Sequence, residues 1–337
     1  MKVLYHLPIL PPKLPQAEAF SQEIKALSEH FNGQLIYLNP NERSPIYIPR
    51  LLFGLHRWPE IRRREAEIDL HHIYNPDPFA YPILRWLRRP VVYTISGGVG
   101  ERPPNLDFFK AMGAVTVFDE LSLERLQHWG LRNAFLVHTG IETSQFTYTP
   151  LAPQPPIRLM MGSAPWTLAQ FRSKGVDALL AAAQQSPQLH LIFLWRGVLA
   201  AEMTERVRRL HLQNQVTILD GLVDVNQVLA TVHASIVLAT EPNLVKAYPH
   251  SLLDSMAAGK PVLVSRAIPM AQYVEATGCG QIVAQVDATA ILAAVDALMT
   301  NYAQAQSMAQ RLGQQDFSQQ SMIASYQRVY EQVLNAR

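Results

Sequence analysis

Residues 242–264 read PNLVKAYPHSLLDSMAAGKPVLV and predict a loop, a helix and a strand in succession. The loop ends at Pro249, a helix rich in Leu, Ala and Met follows until Gly259, and Pro261–Val264 is a buried strand. Upstream, the apolar run Ser235–Ala239 predicts a strand whose carboxyl end enters this loop. The amino terminus of the helix therefore faces the end of a parallel strand, where backbone N–H groups and the helix dipole suit a phosphate.

Apolar runs bounded by turn residues alternate with amphipathic helical patterns along the whole chain of 337 residues. Predicted strands are Lys2–His6, Gln34–Leu38, Leu70–Tyr74, Val91–Ile95, Ala114–Phe118, Ala134–His138, Ile157–Met161, Leu189–Leu194, Gln215–Leu219, Ser235–Ala239 and Pro261–Val264. Predicted helices include Gln16–His30, Glu120–Trp129 and Ser318–Leu334. Such alternation is typical of βαβ units, so we expect an α/β fold with parallel sheets.

Residues 148–156 are rich in proline and lack periodicity, which is typical of a linker. We expect a Rossmann-like domain over residues 1–147 and another over residues 157–314, with the two sheets facing each other across a cleft.

The composition, 48% hydrophobic and 17% charged, allows two domains with ordinary cores. No apolar run reaches the length of a membrane span, and the first residues lack the core and cleavage site of a signal peptide. A single cysteine, Cys279, excludes an internal disulfide, and the histidines are too scattered to predict a metal site. We expect a cytoplasmic protein with no metal.

The formal net charge is only +2, but residues 43–64 hold six arginines and one acid, Glu60. Basic residues mixed with tryptophan and phenylalanine suit an anionic membrane surface or an anionic acceptor, and a solvated loop and helix face is the alternative. The residues expected to meet such a surface are Arg50, Arg57, Trp58, Arg62, Arg63 and Arg64. No nucleic-acid motif is present, so we expect no nucleic-acid partner.

Residues 242–262 resemble the donor-binding element of the retaining, nucleotide-sugar-dependent glycosyltransferases of GT-B fold, the family-4 type or glycosyl transferases group 1. That element runs Pro-Ser, two residues, Glu, Gly-Phe-Gly or Gly-Phe-Pro, three residues, Glu-Ala-Met-Ala, a small residue, Gly and Lys-Pro-Val. The matching positions are Pro242-Asn243, Lys246, Ala247-Tyr248-Pro249, Asp254-Ser255-Met256-Ala257 and Gly259-Lys260-Pro261-Val262. The motif is divergent, because the family's two acids are Lys246 and Asp254 here.

Shorter motifs extend the resemblance. Gly162, Arg172 and Lys174 are similar to the family's Gly-Arg and Lys-Gly pair, with Ser163 at the usual arginine position and Arg172 as its substitute. This resemblance implies that Lys174 and Arg172 stabilise the charge of the leaving nucleoside diphosphate. The alternative is that both residues only cap or solvate a helix start. Gly221 matches the loop that contacts the nucleotide base.

The resemblance also implies donor contacts along the decisive helix. Asp254 would accept hydrogen bonds from the ribose, or it is a helix-surface acid. Lys246 has no acceptor group, which leaves two interpretations: it pairs with an anionic donor such as a uronic acid or with the diphosphate, or the sugar site is lost. The remaining donor contacts that the motif implies are Tyr248, Pro249, His250 and Ser251.

In the first half, the predicted strand Val91–Ile95 is followed by Ser96-Gly97-Gly98, where the family usually has His-Gly. The resemblance implies that Ser96 lies near the reacting carbon, and that Gly97 and Gly98 leave the backbone open to a ligand. The first strand is followed by prolines and no glycine, so we do not expect phosphate binding there, although Lys13 is a candidate to face the cleft.

Together, these resemblances imply a hexosyl- or uronosyl-type glycosyltransferase that acts with retention of configuration and uses a nucleotide diphosphate-sugar without metal or cofactor. Residues 1–147 would bind a glycan or lipid acceptor, residues 157–314 would bind the donor, and a helix in residues 315–337 would pack back on the first domain. The catalytic candidates are Ser96, Lys174 and Lys246. The expected setting is polysaccharide or glycolipid biosynthesis, in the cytoplasm or peripherally at the inner membrane face. The alternative is a non-catalytic GT-B partner that binds a nucleotide or glycan.

Overall fold

The computed structural model describes residues 1–11, 19–41, 44, 46–195 and 198–336. Within them the chain forms two compact units: unit 1 comprises Met1–Gly140 and Gln319–Arg337, and unit 2 comprises Ile141–Ser318. Lys13, Arg43 and the start of the predicted helix Gln16–His30 lie outside the described residues.

Strands and helices alternate in both units. The strands are β1 (Val3–Leu7), β2 (Gln34–Tyr37), β3 (Leu70–Asn75), β4 (Val91–Ile95), β5 (Ala114–Val117), β6 (Ala134–Leu136), β7 (Ile157–Met161), β8 (Leu189–Trp195), β9 (Val216–Asp220), β10 (Ala234–Val237), β11 (Val262–Ser265) and β12 (Gly280–Val283). The helices are α1 (Ala19–His30), α2 (Trp58–Arg64), α3 (Leu106–Lys110), α4 (Glu120–His128), α5 (Ala169–Ser173), α6 (Val176–Gln185), α7 (Ala200–Arg209), α8 (Val225–Thr231), α9 (His250–Ala257), α10 (Met270–Thr277), α11 (Ala288–Thr300), α12 (Tyr302–Gln315) and α13 (Gln319–Asn335).

In the described residues, each unit contains one six-stranded parallel sheet. The order is β2-β1-β3-β4-β5-β6 in unit 1 and β12-β11-β10-β7-β8-β9 in unit 2. The second order is that of a Rossmann sheet, with its reversal between β7 and β10. The predicted α/β fold with two Rossmann-like parallel sheets is confirmed.

The predicted strands coincide with observed ones to within one or two residues, because most of them are largely apolar runs that are buried in the sheet. The sequence did not predict β12, a short edge strand whose middle residues, Gln281 and Ile282, are half-buried. No helix in the described part of the chain is both long enough and apolar enough to cross a membrane.

Helix α13 completes the core of unit 1, although it follows the whole of unit 2 in sequence. Its buried face carries Tyr326 and Tyr330, which pack in one apolar cluster with Tyr5 and other side chains of the sheet. The hydroxyl of Tyr330 also bonds to Nδ1 of His72 on β3 at 2.6 Å. Both apolar burial and hydrogen bonds therefore hold α13 to this sheet.

The proline-rich residues 148–156 are bound to unit 2 by side chains distant in sequence. Lys260 Nζ donates a hydrogen bond to the carbonyl of Thr149, and His233 Nε2 donates one to the carbonyl of Ala152 at 3.0 Å. These residues consequently lie within unit 2, and the division between the units falls before them.

Candidate functional site

The reversal point of the unit 2 sheet brings two loops together. From β7 the chain continues to β8 on one side, and from β10 it continues to β11 on the other. In open α/β sheets, ligands bind at the carboxyl ends of the strands at such a point. The loops after β7 and β10 are joined directly, because the Thr240 N–H donates to the carbonyl of Ser173 at 2.9 Å. Most of the predicted donor residues lie on these two loops and on α9.

Gly162 allows the first turn of α9 to lie against the end of β7. A Cβ atom at Gly162 would be 2.8 Å from Cβ of Ser251 and 3.4 Å from its Oγ, so any larger residue would push the helix away. Pro249 occupies the N-cap position, and no side chain caps the helix. The positive end of the α9 dipole therefore lies against residue 162, and no capping side chain compensates its partial charge.

Lys174 carries a desolvated positive charge to the same loop. The residue is only 6% exposed, and its Nζ donates to the carbonyl of Ala164 at 3.2 Å and to Ser163 Oγ at 3.5 Å. Burial lowers the pKa of this lysine. These two partners are neutral, so nothing among them offsets the cost of burying the ammonium group. Such a lysine favours an anionic ligand.

Three further predicted residues of unit 2 are exposed. Arg172 lies in the last turn of α5, and Lys246 lies on the loop that leads to α9. Gly221 follows β9 with φ of 102°, and no atom lies within 4 Å of a Cβ built there. The left-handed backbone, rather than crowding, therefore favours glycine at this position.

The remaining predicted residues are more enclosed. Tyr248 is 2% exposed, and its ring packs against Tyr273 and Phe317 with centroids 6.0 and 5.4 Å away. Its side chain thus belongs to the core and supports the loop from beneath. His250 and Asp254 are half-buried on α9, and each already interacts within the protein.

Lys260, the lysine of the Gly-Lys-Pro motif, has a structural environment. It is completely buried, it donates to the carbonyl of Thr149, and burial lowers its pKa to about 8. The preceding Gly259 has φ of 72°, and a Cβ there would overlap the ring of Tyr148. This part of the motif holds the proline-rich segment in place.

In unit 1, the loop after β4 is tied to the end of β3. The N–H groups of Ser96 and Gly97 donate to the carbonyls of Asn75 and Pro76, each at 2.8 Å. A Cβ at Gly97 would lie 2.6 Å from the Pro76 oxygen, and Gly98 has φ of 88°. Both glycines are therefore required for this loop conformation.

The charged pair beside this loop, Arg50 and Asp77, is barely indicated by the sequence. Arg50 Nη1 donates to Asp77 Oδ2 at 2.8 Å, its Nη2 donates to Tyr81 Oη at 2.9 Å, and its guanidinium lies 4.4 Å from the centre of the Phe79 ring. The bond to Asp77 raises the pKa of Arg50. Burial opposes ionisation of Asp77, but the bond from Arg50 outweighs it and lowers the pKa of that carboxyl. The Asn-Pro-Asp run directly after β3 was the available signal.

Asp119 was also missed as a site candidate. Its Oδ1 caps α4 by accepting the Ser122 N–H at 2.8 Å, whereas Oδ2 is buried without a hydrogen-bond partner among the described residues. Oδ2 lies 3.6 Å from the position of a Cβ at Gly98. Burial raises the pKa of this carboxyl, which lies beneath the glycine loop.

The predicted arginine surface is partly neutralised within unit 1. Arg57 and Arg64 both pair with Glu60, at 2.9 and 2.6 Å, and Arg62 pairs with Glu65. The surface is therefore less cationic than the sequence indicates.

Apolar side chains are exposed beside these ion pairs. Trp58 packs edge-on against Trp86 with ring centroids 5.8 Å apart, and Arg63 is exposed. The exposed large apolar residues of this region are Ile46, Tyr47, Leu51, Leu52, Leu55 and Trp86. A cavity of about 680 Å³ lies between Leu52, Leu55 and the residues that follow β2.

The described residues contain no cluster of three or more His, Cys, Asp or Glu side chains that could hold a metal.

The comparisons with known proteins agree on one class. Residues 167–315 match the sequence model of the family described as Glycosyl transferases group 1. HepE (Alr3699) of Anabaena, solved in complex with UDP, matches with a TM-score of 0.71 at 16% identity over 98% of this chain and 100% of that chain. Sucrose-phosphate synthase of Thermosynechococcus elongatus matches with a TM-score of 0.71 at 17% identity over 100% of both chains. WaaG, a glycosyltransferase involved in lipopolysaccharide biosynthesis, matches with a TM-score of 0.63 at 12% identity over 99% of both chains.

No curated protein sequence matches the chain. The region matched by the family model lies within unit 2 and includes Lys174, Gly221, Lys246 and Asp254. The sequence match to glycosyl transferases group 1 therefore falls on unit 2, and the structural matches show the GT-B fold over the chain. The relationship predicted from residues 242–262 is confirmed, whereas the roles of single residues stay predictions.

Proposed function

We propose that the protein transfers a sugar from a nucleoside diphosphate sugar to an acceptor, and that unit 2 binds the donor. The observation that carries this proposal is the meeting of two positive groups on the segment 162–164. Lys174 Nζ bonds to Ser163 and Ala164, and the amino terminus of α9 lies against Gly162. A buried cation beside a helix amino terminus suits a diphosphate. The complexes of HepE with UDP and UDP-glucose support the same ligand class.

The other predicted residues fit around such a diphosphate. Arg172 would add a second cation, the backbone N–H groups of His250 and Ser251 would donate hydrogen bonds, and the left-handed turn at Gly221 would lie beside the base. Asp254 would accept hydrogen bonds from the ribose. Tyr248 would act through its backbone, since its ring is buried.

The transfer we propose retains the anomeric configuration. The bond between the anomeric carbon and the β-phosphate oxygen breaks, and an acceptor hydroxyl oxygen bonds to the same face of that carbon. The acceptor proton passes to the departing phosphate oxygen. Lys174 and the α9 dipole stabilise the charge that develops on the leaving group, so the step uses neither a metal nor a cofactor.

For the acceptor we propose a glycan or glycolipid that contacts unit 1. The cavity beside Leu52 and Leu55 lies at the carboxyl end of β2 and combines apolar walls with Arg57 and His56. The exposed apolar residues of the same region, together with Trp58 and Arg63, suit peripheral contact with an anionic membrane surface. The setting we propose is polysaccharide or glycolipid biosynthesis at the cytoplasmic face of a membrane.

The first test is calorimetric titration with UDP, GDP, ADP and their sugars. We expect one nucleotide to bind, and we expect Lys174→Met to weaken it by roughly 10- to 100-fold, the usual range for hydrogen bonds to charged groups. The same variant should unfold at an equal or higher temperature without ligand, because it removes a buried charge. Lys25→Met removes an exposed lysine of unit 1 and serves as the control. Absence of nucleotide binding by the wild type would contradict the proposal.

Lys246 decides between the two interpretations of the donor. If it pairs with an anionic sugar, the wild type should bind the uronic-acid form of the preferred donor more tightly than the neutral form, and Lys246→Glu should reverse the order. Equal affinities in both proteins would argue against the anionic donor. If the protein binds a nucleotide sugar but liberates no free nucleotide from it with any acceptor, the non-catalytic alternative is favoured. Lys246 and Ser96, at the positions of the family's Glu and His, support that alternative.

A further inference from the structure

One arginine of unit 2, Arg206 on α7, contacts both of the helices that flank Lys174. Helix α5 ends at Ser173, Lys174 follows as its C-cap, and α6 begins at Val176. The lysine of the proposed donor site therefore lies in a short turn between two helices. The position of its ammonium group consequently depends on how both helices are held.

On α5, Arg206 contacts an aromatic ring. Its guanidinium carbon lies 4.2 Å from the centre of the Phe171 ring, within the distance at which a cation is attracted to the face of an aromatic side chain. Phe171 is completely buried, and its ring also packs against Trp195 of β8 with centroids 5.7 Å apart. Phe171 therefore contacts both the sheet and Arg206, and it precedes Lys174 by less than one helical turn.

On α6, the same guanidinium group is paired with a carboxylate of the first turn. Arg206 Nη1 donates to Asp177 Oδ1, and Asp177 directly follows the first residue of the helix. The Nε atom of Arg206 donates to Glu202 Oε1, one turn earlier on α7, at 2.7 Å. Only 20% of the arginine side chain is exposed, so solvent competes little with these contacts. Two carboxylates thus hold the guanidinium group in one orientation.

Two arginines of α7 have different environments. Arg206 lies beside Met203 and Val207, which are the buried residues of this helix, because residues three and four apart share one side of a helix. Arg208 is exposed, and in the described contacts it bonds only to Glu205 of its own helix. Arg208 therefore resembles Arg206 in residue type and in its bond to an acid of α7, but it lacks the contacts with α5 and α6.

We propose that Arg206 is a positioning residue of the donor site and acts on the nucleotide through Lys174. By contacting Phe171 on one helix and Asp177 on the next, it fixes the turn that carries the lysine. The ammonium group then meets the diphosphate without having to be ordered on binding, which favours affinity. This inference rests on the proposed binding of a nucleoside diphosphate by unit 2.

The test is a double-mutant cycle between Arg206 and Lys174, measured by calorimetric titration with UDP, GDP and ADP. Arg206→Met keeps an unbranched side chain but removes the guanidinium group. We expect it to weaken binding of the preferred nucleoside diphosphate by roughly 10-fold, because the lysine is displaced. In a protein that already carries Lys174→Met, the same change should have no further effect. Arg208→Met is the matched control and should bind like the wild type.

The corresponding nucleoside separates positioning from a general structural defect. It has no phosphate, so the wild type and Arg206→Met should bind it equally. Backbone amides of residues 170–176 should exchange hydrogen faster in Arg206→Met than in Arg208→Met, without ligand and where both proteins are folded. Asp177→Asn weakens only the contact with α6 and should change both measurements in the same direction by less. It replaces Arg206→Met if that protein does not fold.

The outcomes distinguish a failure of this inference from a failure of the proposed function. If the wild type binds no nucleotide, the proposed function and the donor role of Arg206 are both overturned. If the wild type binds and Lys174→Met binds more weakly, but Arg206→Met binds like the wild type, only the inference is overturned. An equal loss on adding Arg206→Met to Lys174→Met would also overturn it, because Arg206 would then act independently of the lysine. Unchanged exchange of residues 170–176 would show that Arg206 does not hold the turn.

Discussion

The carboxyl ends of the two sheets differ in how their polar groups are used. In unit 2, Lys174 is buried against neutral partners, and α9 begins without a capping side chain. In unit 1, Arg50 is paired with Asp77, and His72 is bonded on both ring nitrogens to Thr94 and Tyr330. These polar groups of unit 1 satisfy one another and stabilise the fold, whereas we propose that those named in unit 2 bind a ligand. The comparison therefore predicts separable effects on stability and binding.

The largest expected effect is acid destabilisation of unit 1. Burial lowers the pKa of His71 to about 4 and that of His72 to about 3. An unfolded histidine titrates near 6.5, so below that pH the unfolded state binds protons that the folded state excludes. We expect the free energy of unfolding to fall by roughly 1.4 kcal/mol per pH unit per histidine, from about pH 6.5 down to the folded pKa values.

Hydrogen exchange of peptides from each unit, measured between pH 7 and about 4.5, checks this prediction. Protection should decline with acid in unit 1 more steeply than in unit 2. His72→Gln should reduce the slope, while His128→Gln, which changes an exposed histidine of the same unit, should leave it unchanged. An equal decline of protection in both units would contradict the proposed difference between their polar networks.

A second prediction concerns the centre of the unit 1 network. Thr94 Oγ1 lies 2.6 Å from His72 Nε2, 2.5 Å from Thr116 Oγ1 and 2.9 Å from Tyr326 Oη. Thr94→Val keeps the volume but leaves these buried groups without a partner, at a cost of about 1–3 kcal/mol for each group that finds no substitute. In urea unfolding, the free energy of unfolding should fall by roughly 3 kcal/mol. The nucleotide affinity, measured where the variant is fully folded, should not change.

The control for this variant is Thr300→Val, because Thr300 is exposed on α11 and bonds only to a carbonyl of its own helix in the described contacts. Its effect should stay within about 0.5 kcal/mol. A similar loss in both variants would mean that removal of a hydroxyl, rather than the buried network, explains the result.

The smallest expected effect lies in unit 2 and concerns binding. Gly162→Ala places a methyl group 2.8 Å from Cβ of Ser251 and should push the start of α9 away from β7. We expect the nucleotide to bind about 10-fold more weakly, or about 1.4 kcal/mol, with little change in melting temperature. Gly100→Ala is the matched control, since a Cβ there meets no atom within 4 Å. Equal affinities in the two variants would show that the approach of α9 is irrelevant to binding.

The sequence predicted the sheets well because most of their strands are largely apolar runs. The prediction of the donor loops depended on a resemblance to family motifs at Gly162, Lys174 and Pro249, and the roles of these residues stay predictions. Local sequence patterns did not predict contacts between residues that are distant in the chain. Nothing near residues 148–156 indicates that Lys260 binds Thr149, so prolines alone predicted a linker.

The same limit applies to charge. The arginines of residues 43–64 predict a cationic surface only if their acidic partners are ignored. Arg50 pairs with Asp77, which the fold rather than the local sequence brings next to it. Likewise, the scattered histidines predict no metal site, and their spacing does not reveal that parallel pairing of β1 with β3 brings His6 Nε2 within 2.9 Å of His71 Nδ1. Strand order, which local patterns do not encode, decides such contacts.

The position of α13 has a consequence for how the protein is made. On the ribosome, residues 1–140 emerge first, but Tyr326 and Tyr330 emerge only after all of unit 2 has been synthesised. Until then the buried face of β3 and β4 lacks its cover, and the hydroxyl partners of His72 and Thr94 are absent. The nascent first unit therefore exposes apolar surface throughout synthesis of the second, a period in which chaperones are expected to hold it.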